Sequence, residues 1–515
     1  MNVADGARAG RPGGEEGRLA RRSAFNFVGL AAANAFQFGM VWVLARRLGQ
    51  HDAGVFFEGF AAIRLLSVVA SLGLDVTAVR YVAVHRAQGD HGGAGAAIRL
   101  SLALCTGLSL LATAITFAVA PALARAFGSS DLTPVLRIMV LALPFVVAQM
   151  VLIGATRGTG RMRAFVVVDQ FLDGAFRLGA ITVALVAGTG LYGAAWAFTI
   201  AAVLTTATAS VAAWSIVREP LTGIGPRAGE LLRFTGYQWG GALAGVGLLW
   251  ADTLLLGLWR PPADVAVYSI VTRTVLFGMM FILPIGIAFQ PVIARLYAIG
   301  DRERLASMYR FATKWSTLAG GPPLLFLAIF ATPVILLLYP DPYARGAWAM
   351  ALLALGQTVN AATGPCGHMV TMVGRSDLVL TNSLAALVIN LVLNVALIPP
   401  YGMVGAGIAW GVSIVLWNLI RLYQAWSVLH MHPFGPWVPR SGLVLAVFCA
   451  AAAAMRLLLE GEPPLVQIVA GAAVATVAGV AAMMATGLVE RDNLSLAGAR
   501  GLLARDQAPS GSPPA

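Results

Sequence analysis

Charge is scarce in this 515-residue chain. Asp, Glu, Lys and Arg together make up 11% of it, where soluble domains carry roughly 25%. A protein of this size could not cover a water-facing surface with so few ionised groups, so a soluble globular fold is excluded. A surface facing lipid tails needs no such cover. Cysteine is nearly absent. Cys105, Cys366 and Cys449 lie far apart in apolar segments, with no CxxC spacing and no histidine at a ligand spacing, which reads as small buried hydrophobes rather than a metal or redox site. There is no GxxxxGK[ST] nucleotide loop, no HExxH, no Asp-x-Asp pair and no long polar loop to house a catalytic domain. An ATP motor, a cofactor, a metal centre and enzymatic chemistry are therefore not expected. No apolar core precedes Ser23, so the first apolar stretch is expected to act as an uncleaved anchor.

What is present is apolar sequence. The hydrophobic fraction is 58% and the mean hydropathy +0.79. A helix needs about 20 apolar residues to cross a bilayer. Fourteen segments qualify, near 24–44, 55–79, 98–120, 135–156, 164–187, 192–216, 234–257, 265–290, 315–338, 347–372, 378–398, 404–428, 440–458 and 464–488. An all-α polytopic membrane protein is expected, with Pro144, Pro284 and Pro365 as bending points inside spans. The net charge of +12 is scattered through short loops, so it reports topology and contact with anionic lipid rather than a nucleic-acid partner. With the N-terminus inside, 25 basic residues fall on the cytoplasmic side, 7 on the outer side and 3 within the membrane. This bias places both termini in the cytoplasm of a bacterial inner membrane.

The chain also repeats itself. Gly89-Asp90 recurs as Gly300-Asp301, Gly54-Val55-Phe56 as Ala266-Val267-Tyr268, Tyr192-Gly193-Ala194-Ala195 as Val404-Gly405-Ala406-Gly407, and Gly160-Arg161 as Gly374-Arg375, at shifts of 211 to 214 residues. A repeat of six spans keeps one orientation, so two six-helix lobes related by an axis along the membrane normal are expected, with a cavity between them. The divisions are a polar N-terminal tail (1–22), an N-lobe (23–217), a cytoplasmic linker (218–233), a C-lobe (234–430), two appended helices (431–488) and a disordered cytoplasmic tail (489–515).

Ionisable residues at membrane depth face a bundle interior or a wet cavity by default. Asp169, Asp173 and Arg177 are spaced i, i+4, i+8 on one helix face; they read either as a lumen-facing site or as a salt-bridged stripe between helices. Arg64 and Arg273 lie in the second and eighth spans, equivalent in the repeat, and are expected to point one guanidinium from each lobe into the cavity. Arginine binds phosphate bidentately at any working pH, so this pair suits an anionic headgroup. Asp252, late in the seventh span, is the candidate for coupling to an ion, with a structural brace as the commoner alternative.

Several stretches resemble the polysaccharide-export flippases. They are Leu44-Ala45-Arg46-Arg47-Leu48-Gly49, Gly54-Val55-Phe56, Ser71-Leu72-Gly73-Leu74, Arg80-Tyr81, Gly154 through Arg161, Ala251-Asp252-Thr253-Leu254-Leu255-Leu256-Gly257, and Tyr401 through Trp410. In order, they cover the chain from about Ser23 to Pro433. The resemblance implies the multidrug/oligosaccharidyl-lipid/polysaccharide (MOP) exporter superfamily. It further implies a flippase that moves undecaprenyl-pyrophosphate-linked oligosaccharide across the membrane by alternating access. Arg64, Arg273 and Arg177 would be the cationic cavity residues, H+ or Na+ the possible coupling ion, and polysaccharide assembly proteins possible partners. A cation-coupled multidrug antiporter and a lipid II flippase are the rivals within the superfamily. A membrane glycosyltransferase or polymerase is the rival outside it.

Overall fold

Helix is the only regular element among the described residues of the computed structural model, which are 12–218, 228–372 and 375–488. The whole of the expected C-terminal tail (489–515), most of the linker, the start of the N-terminal tail and Gly374 of the repeat lie outside them. A chain in lipid must satisfy its backbone polar groups within each segment, and helix does so. The N-terminal half comprises α1 (Pro12–Arg47), α2 (Gln50–Ser71), α3 (Leu74–Ala87), α4 (His91–Ala126), α5 (Leu132–Val140), α6 (Leu143–Gly158), α7 (Met162–Phe165), α8 (Asp173–Val186) and α9 (Gly190–Val217). The C-terminal half comprises α10 (Ala228–Trp259), α11 (Pro262–Gly278), α12 (Leu283–Ala298), α13 (Arg302–Ile329), α14 (Ala331–Leu338), α15 (Ala347–Thr363), α16 (Cys366–Met372) and α17 (Ser376–Leu429). Two further helices, α18 (Trp437–Leu458) and α19 (Pro464–Ala485), pack against each other and against α13 and α14.

Ten helical stretches among the described residues are long and apolar enough to cross a bilayer, and an eleventh if α13 and α14, bent by 81°, form one span. Helix length alone does not reach the fourteen expected, and the differences have local causes. α17 runs for 54 residues, roughly 80 Å at 1.5 Å per residue, far more than a bilayer needs. Its Gly402, at φ 58° and ψ −133°, breaks it between the expected spans 378–398 and 404–428. The expected span 164–187 is interrupted by a π-helical segment, Val166–Leu172. Pro144, Pro284 and Pro365 each stand at a break between helices: α5 to α6, α11 to α12, and α15 to α16. Proline cannot donate to the preceding turn, so the chain re-aims there. α1 starts twelve residues earlier than the expected first span, at Pro12, which puts the end of the expected polar tail inside the helix.

The repeat is written in the backbone as well as in the sequence. Gly89 and Gly300 both take φ 74°, and the aspartate after each caps the next helix, Asp90 accepting from the Gly93 N–H and Asp301 from the Arg304 N–H. Gly190 and Gly402 take φ 61° and 58°. Arg161 and Arg375 share φ/ψ of −79°, 63° and −84°, 64°. Left-handed torsions recurring at the same offset show that the two halves turn their corners alike.

The halves meet most tightly at one end, called here the sealed end. α2 packs on α10 and α11, and α1 on α11. Gly54 of α2 lies against the Pro262 carbonyl at the start of α11, so closely that a Cβ there would sit 1.8 Å from its oxygen. Arg46 donates to the carbonyls of Leu338 (3.0 Å) and Leu337 (3.1 Å) across the join. Arg345 pairs with Asp264 and reaches Gln50 Oε1 at 3.4 Å. Aromatic rings finish the seal: Phe38 stacks on Phe277 (4.9 Å between centroids) and Phe60 meets Trp250 edge-on (5.1 Å).

Candidate functional site: the cavity between the halves

Beneath the seal, a cavity of about 830 Å³ lies between the halves. α1, α2, α3, α6, the π segment and α8 contribute from one side, α10, α15 and α17 from the other. Its polar lining is ionic. Arg64, Arg157, Arg177 and Arg421 face three carboxylates, Asp75, Asp169 and Asp173. The excess is one positive charge, which favours an anion over a cation as the bound group.

The N-terminal charges largely neutralise one another. Asp173 accepts from Arg177 at 2.9 Å and from the Thr205 hydroxyl at 3.3 Å. Asp169 accepts from Gln149 Nε2 at 3.4 Å. The Arg177 guanidinium also lies over the Phe198 ring, 5.4 Å from its centroid. The π segment carries Asp169, and the wider turn sets it relative to Asp173 and Arg177 on the following α-helix; π turns inside α-helices recur at functional sites. Arg64 of α2 lies in the same group. Gly174 lets α8 approach α1, for a Cβ there would stand 2.7 Å from Phe36 Cβ.

The C-terminal side is built differently. Arg421 is stacked on Trp417, one turn earlier on α17, with its Cζ 3.5 Å from the ring centroid. Among the described residues it meets no carboxylate and donates no hydrogen bond. Among these residues the ring face of Trp417 is what its charge meets, a weak partner. Gln357 and Asn360 of α15 line the same wall, Asn360 donating to Gln357 at 2.9 Å. Arg157 stacks on Phe165, 4.9 Å away, on the opposite wall.

Four of the residues singled out in the sequence therefore meet in one place: Arg64, Asp169, Asp173 and Arg177. Arg273 does not line this cavity. It lies over Trp250, 3.8 Å from the ring centroid, behind the aromatic floor of the seal. Asp252 is buried between α10 and α11, where it accepts from the Tyr268 hydroxyl at 2.5 Å and from the Thr253 N–H at 2.7 Å. Sequence reasoning missed Arg157, Arg421, Gln149, Gln357 and Asn360. The count of basic residues placed Arg157 and Arg421 among the 25 on the cytoplasmic side. The signal that could have found them is an aromatic at helical spacing, Trp417 to Arg421, within an otherwise apolar span.

A profile described as polysaccharide biosynthesis protein matches residues 19–297, more than half of the chain. The chain belongs to the polysaccharide biosynthesis protein family. A second profile, MatE, matches residues 243–396. Among curated relatives of this family member is a probable low-salt glycan biosynthesis flippase, Agl15, of Haloferax volcanii, 20% identical over 205 residues. That alignment takes in 40% of this chain and 42% of the relative, about two fifths of the curated protein's length. Among solved structures, the lipid II flippase MurJ in an inward closed conformation aligns over 91% of this chain and 99% of its own, with a TM-score of 0.70 at 11% identity. A multidrug resistance MATE family transporter of the MOP superfamily, inward-facing, aligns over 78% of this chain and 94% of its own, with a TM-score of 0.66 at 18% identity. The fold of this polysaccharide biosynthesis family member is thus that of the MOP superfamily, and it is a multi-pass membrane protein.

Proposed function

We propose that this protein is a flippase that carries undecaprenyl-pyrophosphate-linked oligosaccharide across the bacterial cytoplasmic membrane by alternating access. The observation that carries this reading is the cavity with its excess of arginine, above all Arg421 held on Trp417 without a carboxylate. A pyrophosphate entering between Arg421 and Arg64 would supply the counter-charge that the protein withholds. The two halves would act as the lobes, and the appended α18 and α19 would stay with the C-terminal one. The sealed end faces outward and both termini face the cytoplasm, as the arginine bias supports. The headgroup travels through the cavity while the polyprenyl tail stays in lipid. The neutralised set of Asp169, Asp173 and Arg177 adapts to the passing charge, and H+ or Na+ is the coupling ion it suits. Asp252, already satisfied by Tyr268 and Thr253, serves as a brace between α10 and α11. Arg273 would steady the cavity floor through Trp250.

The test is a flipping assay in proteoliposomes with fluorescent undecaprenyl-pyrophosphate oligosaccharide, comparing wild type with Arg64→Ala and Arg421→Ala. Transport by wild type that collapses in both folded variants supports the reading. Unchanged transport in both removes the arginine assignment, and no transport by folded wild type refutes the substrate. The alignment with MurJ over 91% of this chain, including more of it than the MATE alignment, favours lipid II as the second substrate to try. Efflux of organic cations, which Asp169 and Asp173 could bind, is the third.

A further inference from the structure

One buried acid lies outside all of this. Glu58 of α2 is 1% exposed, and among the described residues neither carboxyl oxygen has a hydrogen-bond partner. It sits two turns into α2 from the sealed end, about 12 Å along the helix. It faces a second, smaller cavity of about 200 Å³. α4, α5 and α10 present to it Thr116, Leu123, Leu132, Leu136 and Leu254, with Phe127 beside them. None of these is titratable, and Thr116 is the single polar side chain among them.

The place matters as much as the burial. Glu58 Oε1 lies against Gly257 of α10, where a Cβ would stand 2.8 Å from it. The carboxyl is therefore wedged in the join between the two halves, one turn beyond Gly54 and its contact with Pro262. An ionised carboxylate there would be an uncompensated charge in an apolar pocket, which is strongly disfavoured. A metal cation would not rescue it, since hard cations take six or more oxygen ligands and this pocket offers Thr116 alone. The species that fits is a proton.

We propose that Glu58 is a proton-binding site inside the seal, occupied when α2 and α10 close around it and emptied when they part. Proton binding and closure of the outward end are then one equilibrium. By linkage, the state that holds the extra proton is favoured as pH falls, so sealing is strongest in acid. Opening, which frees the carboxyl to ionise in water, is favoured as pH rises above the ordinary glutamic acid range of about 4.3. This inference rests on the alternating-access reading, and the experiment separates the two.

Spin labels are placed at His51→Cys on α2 and Trp348→Cys on α15, after replacement of the three native cysteines by alanine. Both sites are exposed, and the first substitution also removes the nearby histidine. Distances are measured by double electron–electron resonance in lipid between roughly pH 5 and pH 8. With Glu58 intact, the ratio of long to short distances rises by up to about tenfold per pH unit, the limit for one linked proton. In Glu58→Gln, and in Glu58→Leu should the amide be poorly tolerated, the ratio loses this one-proton slope. Two distances whose ratio ignores pH, or responds equally in both variants, overturn the Glu58 assignment and leave alternating access standing. A single short distance under every condition, substrate included, overturns both.

Discussion

Gly54→Ala is the smallest change that strikes the join between the halves. The added Cβ would lie 1.8 Å from the Pro262 carbonyl oxygen, 2.3 Å from its carbon and 2.8 Å from its Cα. Every one of these is inside van der Waals contact, and all three atoms are backbone, so no side chain can swing aside. α2 and α11 must separate by more than an ångström or tilt. Either response loosens the contacts of Arg46 with Leu337 and Leu338 and of Arg345 with Gln50. Overpacking of a close-packed site costs about 1–3 kcal/mol. A cost confined to the sealed state shifts the sealed-to-open ratio by roughly 5- to 150-fold. The assay is the rate at which a membrane-impermeant maleimide modifies Gln50→Cys at the join, on the background without native cysteines. Faster labelling in Gly54→Ala, with little change in Gly49→Ala, where a Cβ meets open space, is the expected result. Equal labelling in Gly54→Ala and its parent, at equal thermal stability, would refute the claim that this contact closes the cavity.

Three further outcomes follow from the geometry. Tyr268→Phe removes the hydroxyl that Asp252 accepts from; thermal unfolding should show a loss of about 1–3 kcal/mol, the cost of a buried group left short of a partner. Adding Asp252→Asn should change stability less in the Tyr268→Phe background than in wild type, measured by the same melts. Asp173→Asn deprives Arg177 of its 2.9 Å partner; unfolding should be easier by about 1.5–3 kcal/mol, and Arg177→Gln in the same chain should recover part of it. Gly356→Leu should prevent accumulation of folded protein altogether, because a Cβ there would stand 2.8 Å from Gly411 Cα in the α15–α17 contact; a monodisperse gel-filtration peak at wild-type yield would contradict this.

The helical class and the twofold repeat were legible because lipid imposes one rule on every segment and because turns demand particular residues. Gly89-Asp90 and Gly300-Asp301 stood out in sequence for the reason they coincide in structure: a left-handed residue followed by a helix cap. Span boundaries were less legible. An 18–20 residue apolar window is blind to a π turn at Val166–Leu172 and to the break at Gly402. Asp169, Asp173 and Arg177 were found because their one-face spacing survives that turn. Arg421 was not, because near a span end an arginine looks like a headgroup contact, and only the fold shows that Trp417 holds it over a cavity. Arg273 shows the converse: repeat symmetry aligned it with Arg64, yet it packs on the buried Trp250 and does not line the cavity, and packing on one ring is not a periodic property.

The wide turn at Val166–Leu172 amounts to one extra residue wound into a continuous helix. Delete any one of the six residues there other than Asp169 and the helix can close up as ordinary α, with the turns on either side near their old faces, but each residue inside the stretch takes a new bearing, because an α residue turns about 100° and a residue of the wider turn less. Asp169 and the Asp173–Arg177 pair would keep their identities and lose their mutual bearing. The number of residues in this stretch is therefore as much a part of the charged site as the charges are. A relative that kept all three side chains but dropped one position would carry the same letters and a differently aimed site.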